Sequence, residues 1–197
     1  MTPRSWFQRM RHVWLPVLLL LSASPEMKAQ GAFEQSLAGA GISPAVFQSE
    51  LRDYWQTGSG LALYWSVPFY AGDLEFRAGF LPMKSRRQNI PSINNVFTTL
   101  NWRMPAELTR RLSVSGGFLI GNNFMYRPSA GIMDGPESEF MAGLTGMIHF
   151  RLSPTLSLRA GLEQIRIYTY HKINLTSPQM GIEVHFDSPR WLKQLLQ

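Results

Sequence analysis

The chain of 197 residues has no cysteine. That excludes a disulfide framework, a thiolate metal site and a lipoprotein held through an N-terminal cysteine. Charge of one sign is scarce as well. The formal net charge is +6, but Arg4, Arg9, Arg11 and Lys28, against Glu26 alone, fall in residues 1–30. Without that stretch 15 basic and 12 acidic side chains remain. So small and scattered a surplus argues against a nucleic-acid partner. No apolar run after residue 21 is long enough to cross a bilayer as a helix, which takes about 20 residues. His149 and His185 lack a paired ligand motif, so neither a metal nor a cofactor is expected.

What is there begins with a leader. Arg4, Arg9 and Arg11 precede the short apolar run Val13 to Leu21, broken only by Pro16. A charged head before so short a run reads as a signal peptide. Residues 1–29 are assigned to it, with cleavage after Ser24 or Gly31 as alternatives and an uncleaved anchor as the competing reading.

From Gly60 onward the chain alternates with period two, the signature of strands with one apolar and one polar face. Leu61, Leu63, Trp65, Val67 and Phe69 alternate with Ala62, Tyr64, Ser66 and Pro68. Leu74, Phe76, Ala78 and Phe80 oppose Asp73, Glu75, Arg77 and Gly79. Further ribbons set Val96–Met104 against Phe97, Thr99, Asn101 and Arg103, and Leu112–Ile120 against Ser113, Ser115, Gly117 and Gly121. Phe140–Leu152 then alternates with Glu139, Met141, Thr145, His149 and Arg151, and Leu156–Leu162 with Ser157, Arg159, Gly161 and Glu163. Ile165 and Ile167 break the phase, which reads as a bulge or as a strand leaving the bilayer. The last ribbon, Gln179 to Phe186, puts Met180, Ile182, Val184 and Phe186 on one face and Gln179, Gly181, Glu183 and His185 on the other.

These are seven ribbons, and Phe33 to Ile42 supplies an eighth, with Ile42 to Trp55 as its rival placement. Connections then alternate long and short: Ser43–Ser59, Ala71–Gly72, Met83–Asn95, Pro105–Arg110, Tyr126–Ser138 and Ser153–Thr155. Bacterial membrane barrels show that asymmetry, with long loops outside and short turns in the periplasm. The fold class is therefore all-β: a closed, antiparallel, up-and-down transmembrane β-barrel of eight strands with a short amphipathic tail. Residues 30–187 form the barrel and 188–197 a periplasmic tail, in which Trp191, Leu192, Leu195 and Leu196 have helical spacing.

A soluble barrel or sandwich would turn the apolar face inward. Against it stand the size of that face, ribbon lengths near those of a tilted membrane strand, and aromatic residues at strand ends. The aromatic set comprises Tyr64, Trp65, Tyr70, Trp102, Tyr126, Phe150, Tyr168, Tyr170 and Phe186.

The ending QMGIEVHF, spaced polar-x-Gly-x-x-apolar-x-aromatic, looks like the terminal signal read by barrel-assembly machinery. With the ribbons and the loop asymmetry, it makes Phe33 to Phe186 resemble the small eight-stranded outer-membrane β-barrels of Gram-negative bacteria. The chain departs from that pattern by continuing into SPRWLKQLLQ. The resemblance implies the cell outer membrane, surroundings of lipid and lipopolysaccharide, contact with assembly machinery during insertion, and a structural or surface-interaction role without catalysis.

Parity sends Glu75, Glu139, Glu163 and Glu183 to the lumen with Arg77, Arg103, Arg151 and Arg159, beside His149 and His185. An eight-stranded lumen is only wide enough for side chains to fill, so the set reads as a salt-bridged plug. A narrow small-solute or ion channel is the alternative, and a lipid-modifying enzyme a third. For the enzyme the residues are thin: His171 in a loop, with Ser177 as a loose candidate nucleophile. Lys84, Arg86 and Arg87 form a basic loop cluster suited to lipopolysaccharide phosphates.

Overall fold

A computed structural model describes residues 35–47, 50–69, 72–126, 137–169 and 173–190. The signal peptide, most of the tail, Tyr70, Tyr170 and His171 lie outside the described residues. Eight strands form the wall: β1 (Gln35–Pro44), β4 (Ser59–Phe69), β5 (Gly72–Ser85), β6 (Ile93–Glu107), β7 (Leu112–Tyr126), β8 (Glu137–Arg151), β9 (Leu156–Ile167) and β10 (Ile173–Asp187). Each pairs antiparallel with its neighbour in the wall, and β1 closes the ring on β10, from Gln35 opposite Asp187 to Ile42 opposite Met180. Closure satisfies every edge, which in hydrocarbon would otherwise cost several kcal/mol per unpaired group.

Two short strands, β2 (Val46–Phe47) and β3 (Trp55–Thr57), prolong the wall at one end. β2 continues the β1 register on β10, with Val46 opposite Thr176. Carried between the two segments, that register sets Pro44 across from Pro178. Neither can donate to a ladder, which explains the break. β3 lies on β5 with Thr57 opposite Met83, whereas β4 begins with Leu61 opposite Phe80. Four steps on one strand meet three on the other, a bulge at Gly58–Gly60. A Cβ on Gly60 would meet the Ser43 and Phe80 carbonyl oxygens at 2.9 and 3.0 Å. Both ends of the expected polar loop Ser43–Ser59 are thus part of the wall.

The described wall begins and ends at the same rim. At that rim the connections are short: Leu108–Arg111, where Thr109 Oγ1 accepts the Leu112 N–H at 3.0 Å, and Leu152–Thr155. The opposite rim carries the longer connections, including 86–92 between β5 and β6, which is shorter than the expected Met83–Asn95. Among the described residues no helix is long and apolar enough to cross a membrane; the strands do that.

Side-chain distribution is inverted relative to a water-soluble protein. Leu61, Leu63, Leu162 and Met180 are about 60% exposed (62%, 67%, 58% and 61%) on the outer wall, while Arg77 and Glu75 are each 1% exposed inside. No aqueous barrel is stable with its ions buried and its leucines wet, because burying charge costs far more than burying hydrocarbon gains.

Candidate functional site

The barrel interior is the candidate site, and it has two layers. Towards the turn rim it is ionic. Arg77 grips Glu163 with two contacts, Nη1–Oε1 at 2.5 Å and Nη2–Oε2 at 2.8 Å. Gln179 adds a third contact to Glu163 Oε2 at 3.0 Å and links it to Ser43 and Ser177. A second cluster centres on Glu75, which accepts from Arg159 at 2.6 Å and from Asn101 at 2.7 Å. Arg103 Nη1 stands 3.2 Å from Glu75 Oε2. That geometry makes an ion pair but no hydrogen bond, and Arg103 Nε and Nη1 have no hydrogen-bond acceptor among the described residues. Its Nη2 donates to Ser66 at 3.1 Å. Arg159 also reaches Glu183 at 3.5 Å, and Glu183 meets His149 Nδ1 at 2.9 Å. The other His149 nitrogen, Nε2, is 3.0 Å from Ser115 Oγ. His185 Nε2 lies 2.8 Å from Ser157 Oγ.

Tyr64 ties the cluster to the wall. Its ring lies on Gly39, where a Cβ would collide with Cε2, so only glycine fits that spot on β1. The Tyr64 hydroxyl donates to the Ile182 carbonyl at 2.9 Å, and the Arg159 guanidinium carbon sits 3.4 Å from the ring centroid. Aromatic support and two carboxylates therefore hold one guanidinium in a fixed plane.

Towards the loop rim the interior is mostly apolar, with Asn95 and Asn123 buried in it and hydrogen-bonded to each other at 3.1 Å. Phe47, Leu81, Met83, Phe97, Leu119, Met125, Met141, Ile165, Ile167 and Leu175 form one packed cluster, with Trp55, Ile93 and Ile173 against it. Leu119 is fully buried. Arg77 lies over the Phe97 ring at 5.2 Å, where the two layers meet.

Of the ten lumenal residues expected from parity, Glu75, Arg77, Arg103, Arg159, Glu163 and Glu183 are joined in buried ion pairs, and His149 joins them through Glu183. His185 is held by Ser157 instead. Glu139 is half-buried opposite Asn123 near the loop rim, with no ion pair to a described residue. Arg151 is exposed at the turn rim. Strand ends open to water, and a lone charge there needs no partner.

Three expectations are corrected. There is no phase slip near Gln164: the β8 and β10 registers run unbroken past it, and Ile165 and Ile167 point inward into the apolar plug. Gln164 and Arg166 face out on the outer wall, Gln164 directly across the ladder from Leu144. Tyr64 is no girdle residue, being 4% exposed and lumenal. Ser177, the loose nucleophile candidate for an outer-wall enzyme, is buried inside and bonded to Ser43 at 2.6 Å. The apolar plug and the members Tyr64, Asn101, Gln179 and Ser115 were not foreseen. Parity put those four, and the plug members Phe97 and Met141, on the lumenal face, but nothing in the sequence says which strand faces which across a lumen.

A closed eight-strand barrel with an apolar outer wall and a buried ionic lumen is an outer-membrane β-barrel. Comparison with known protein families and with curated proteins finds no match. Solved structures do match in fold. Neisserial surface protein A aligns with a TM-score of 0.57 at 14% identity, covering 80% of this chain and 100% of that one. A major outer membrane protein from Thermus thermophilus gives 0.53 at 13%, covering 77% and 99%. The Yersinia pestis outer membrane protein Ail, in a phospholipid nanodisc, gives 0.51 at 12%, covering 78% and 99%.

Proposed function

We propose that the chain is a sealed structural barrel of the outer membrane, exported by residues 1–29, inserted by the barrel-assembly machinery and anchored with its long connections outward. The observation that carries this reading is the apolar plug lying across the lumen above the ion pairs. An ion crossing it would shed most of its hydration against hydrocarbon, and Asn95 and Asn123, bonded to each other and to the Leu81 carbonyl, are a poor replacement for water. The channel reading needs a continuous polar path, and the plug of Leu119, Phe97, Ile165 and Met141 stands against one. Planar-bilayer recording of refolded protein is expected to stay silent; well-resolved unitary steps would overturn the sealed reading.

The loop rim supports a surface role. Arg52, Lys84, Arg86, Arg87 and Arg166 are all exposed there. The turn after β5 is fastened to the first loop: Arg86 N–H donates to the Tyr54 carbonyl at 2.9 Å, and Arg87 stacks on the Tyr54 ring at 4.5 Å. Trp55 Nε1 donates to the Pro91 carbonyl at 3.0 Å. Such a fixed basic rim suits lipopolysaccharide phosphates, and the paired change Arg86→Glu, Arg87→Glu should weaken binding of lipopolysaccharide micelles at least fivefold. Unchanged binding would remove that partner.

A further inference from the structure

The outer wall is not uniform from rim to rim. Among the described residues of the eight wall strands, two charged side chains have outward parity, Lys84 on β5 and Arg166 on β9, and no carboxylate does. Both cations lie in the loop half of their strands. Asn94, Thr98, Asn122, Gln164, Asn174 and Thr176 are outward polar residues of that same half. In the turn half the one residue of outward parity with a hydroxyl, amide or charged side chain is Ser36, buried and bonded to Ser188 at 2.7 Å. The two leaflets therefore meet different walls, one apolar and one cationic and hydrogen-bonding.

Within that band Arg166 is set apart by how it is held. On the β9–β10 ladder it lies opposite Asn174, one rung in from Ile167 and Ile173. Asn174 Oδ1 accepts from its Nε at 2.8 Å. The guanidinium plane is thereby oriented, while Nη1 and Nη2 bond no described residue. Its neighbour on β8 is Ala142, too short to cover it, and Arg166 is exposed. One outward position nearer the rim, the rings of Phe140 and Tyr168 stand 5.6 Å apart, 50% and 44% exposed. Exposed aromatics at strand ends mark the headgroup level. An arginine just beneath that level is costly to leave unpaired. The carboxylates at the loop end of β8, Glu137 and Glu139, have lumenal parity and so do not face it across the outer wall. Its counter-charge comes from the lipid.

We propose that Arg166 and Asn174 form a docking site on the lipid-facing wall for a phosphate of lipopolysaccharide. The two free Nη groups match two phosphate oxygens, the fork geometry that arginine offers and lysine does not. Gln164, the next outward residue down β9, presents an amide to polar groups deeper in the same lipid. The choice of the glycolipid leaflet rests on the orientation proposed above, with the long connections outward. The site is separate from the Arg86–Arg87 contact, which lies beyond the end of β5.

The test uses full-length protein refolded in detergent and native mass spectrometry, which counts bound lipid on the folded species. The probes are bisphosphorylated lipid A, the same lipid A stripped of phosphate, and phosphatidylglycerol. Wild type should bind the bisphosphorylated form at least tenfold more tightly than either of the others. Arg166→Gln should lower that affinity at least tenfold and Asn174→Ala at least threefold, both with folded gel mobility before boiling. Added to Arg86→Glu, Arg87→Glu, the Arg166→Gln change should still cause a further loss of the same size. Arg166→Gln that binds like wild type overturns the site, and equal binding of phosphatidylglycerol overturns the glycolipid as its occupant. If the rim pair alone abolishes the preference, the rim contact stands and the wall site falls. A chain with no folded species before boiling would overturn the barrel reading and the site with it.

Discussion

Replacing Glu75 with alanine is expected to cost about 3–5 kcal/mol of folding stability, the usual penalty for removing one partner of a buried ionic cluster. Glu75 sits between two guanidiniums, Arg159 at 2.6 Å and Arg103 at 3.2 Å, and also accepts from Asn101. Without it, both positive charges stay in a low-dielectric lumen. Of its carboxylate contacts Arg159 keeps only the longer one to Glu183, and Arg103 keeps its hydrogen bond to Ser66. The strands cannot relax around the change, because the hydrogen-bonded ring fixes the distance across the lumen. Urea titration of the unboiled gel species reads the loss directly. Glu139→Ala is the matched control: with no ion pair to a described residue, it should change stability by no more than about 0.5 kcal/mol. A cost below about 1 kcal/mol for Glu75→Ala would mean that water screens the lumen and the ion pairs are not its keystone.

The contrast between Glu75 and Glu139 marks how far the sequence could be read. Both are lumenal by parity, because a strand's period of two is local and survives in any register. Depth in the barrel is a different quantity, set by where the ladder places each strand end. Arg77 and Glu163 are 86 residues apart, and Arg159 and Glu75 are 84 apart. Their meeting depends on ring closure, which no local pattern encodes. The apolar plug was missed for a related reason. Ile165 and Ile167 look out of phase only if a lumen must be polar throughout. A lumen filled by side chains is neither water nor lipid, so hydrocarbon packs there as readily as matched ions. Tyr64, expected at a strand end as part of a girdle, is at the middle of β4, and its lumenal parity decides its place. Ser115 and His149 are 34 positions apart on adjacent strands. Nothing in the sequence sets the length of wall between them.

Leu144→Arg should destabilise the folded protein by about 2–4 kcal/mol in a bilayer, as arginine does near the midplane of a membrane barrel. Leu144 is 53% exposed on the outer face of β8, between Phe140 and Phe150, and its neighbour across the ladder is Phe118. The same wall gives opposite expectations in two solvents. Were it in water, arginine at a half-exposed position would shift stability by no more than about 0.5 kcal/mol and would aid solubility. In hydrocarbon the guanidinium must stretch to the headgroups or draw water in, and either route is costly. Depth should govern the outcome: Leu108, 54% exposed in the turn between β6 and β7 and outside the strands, should accept arginine nearly neutrally, whereas Leu144→Arg is severe. Reversible urea unfolding in phosphatidylcholine vesicles, followed by tryptophan fluorescence, measures both. If the two variants unfold at the same midpoint as wild type, the outer wall does not face lipid.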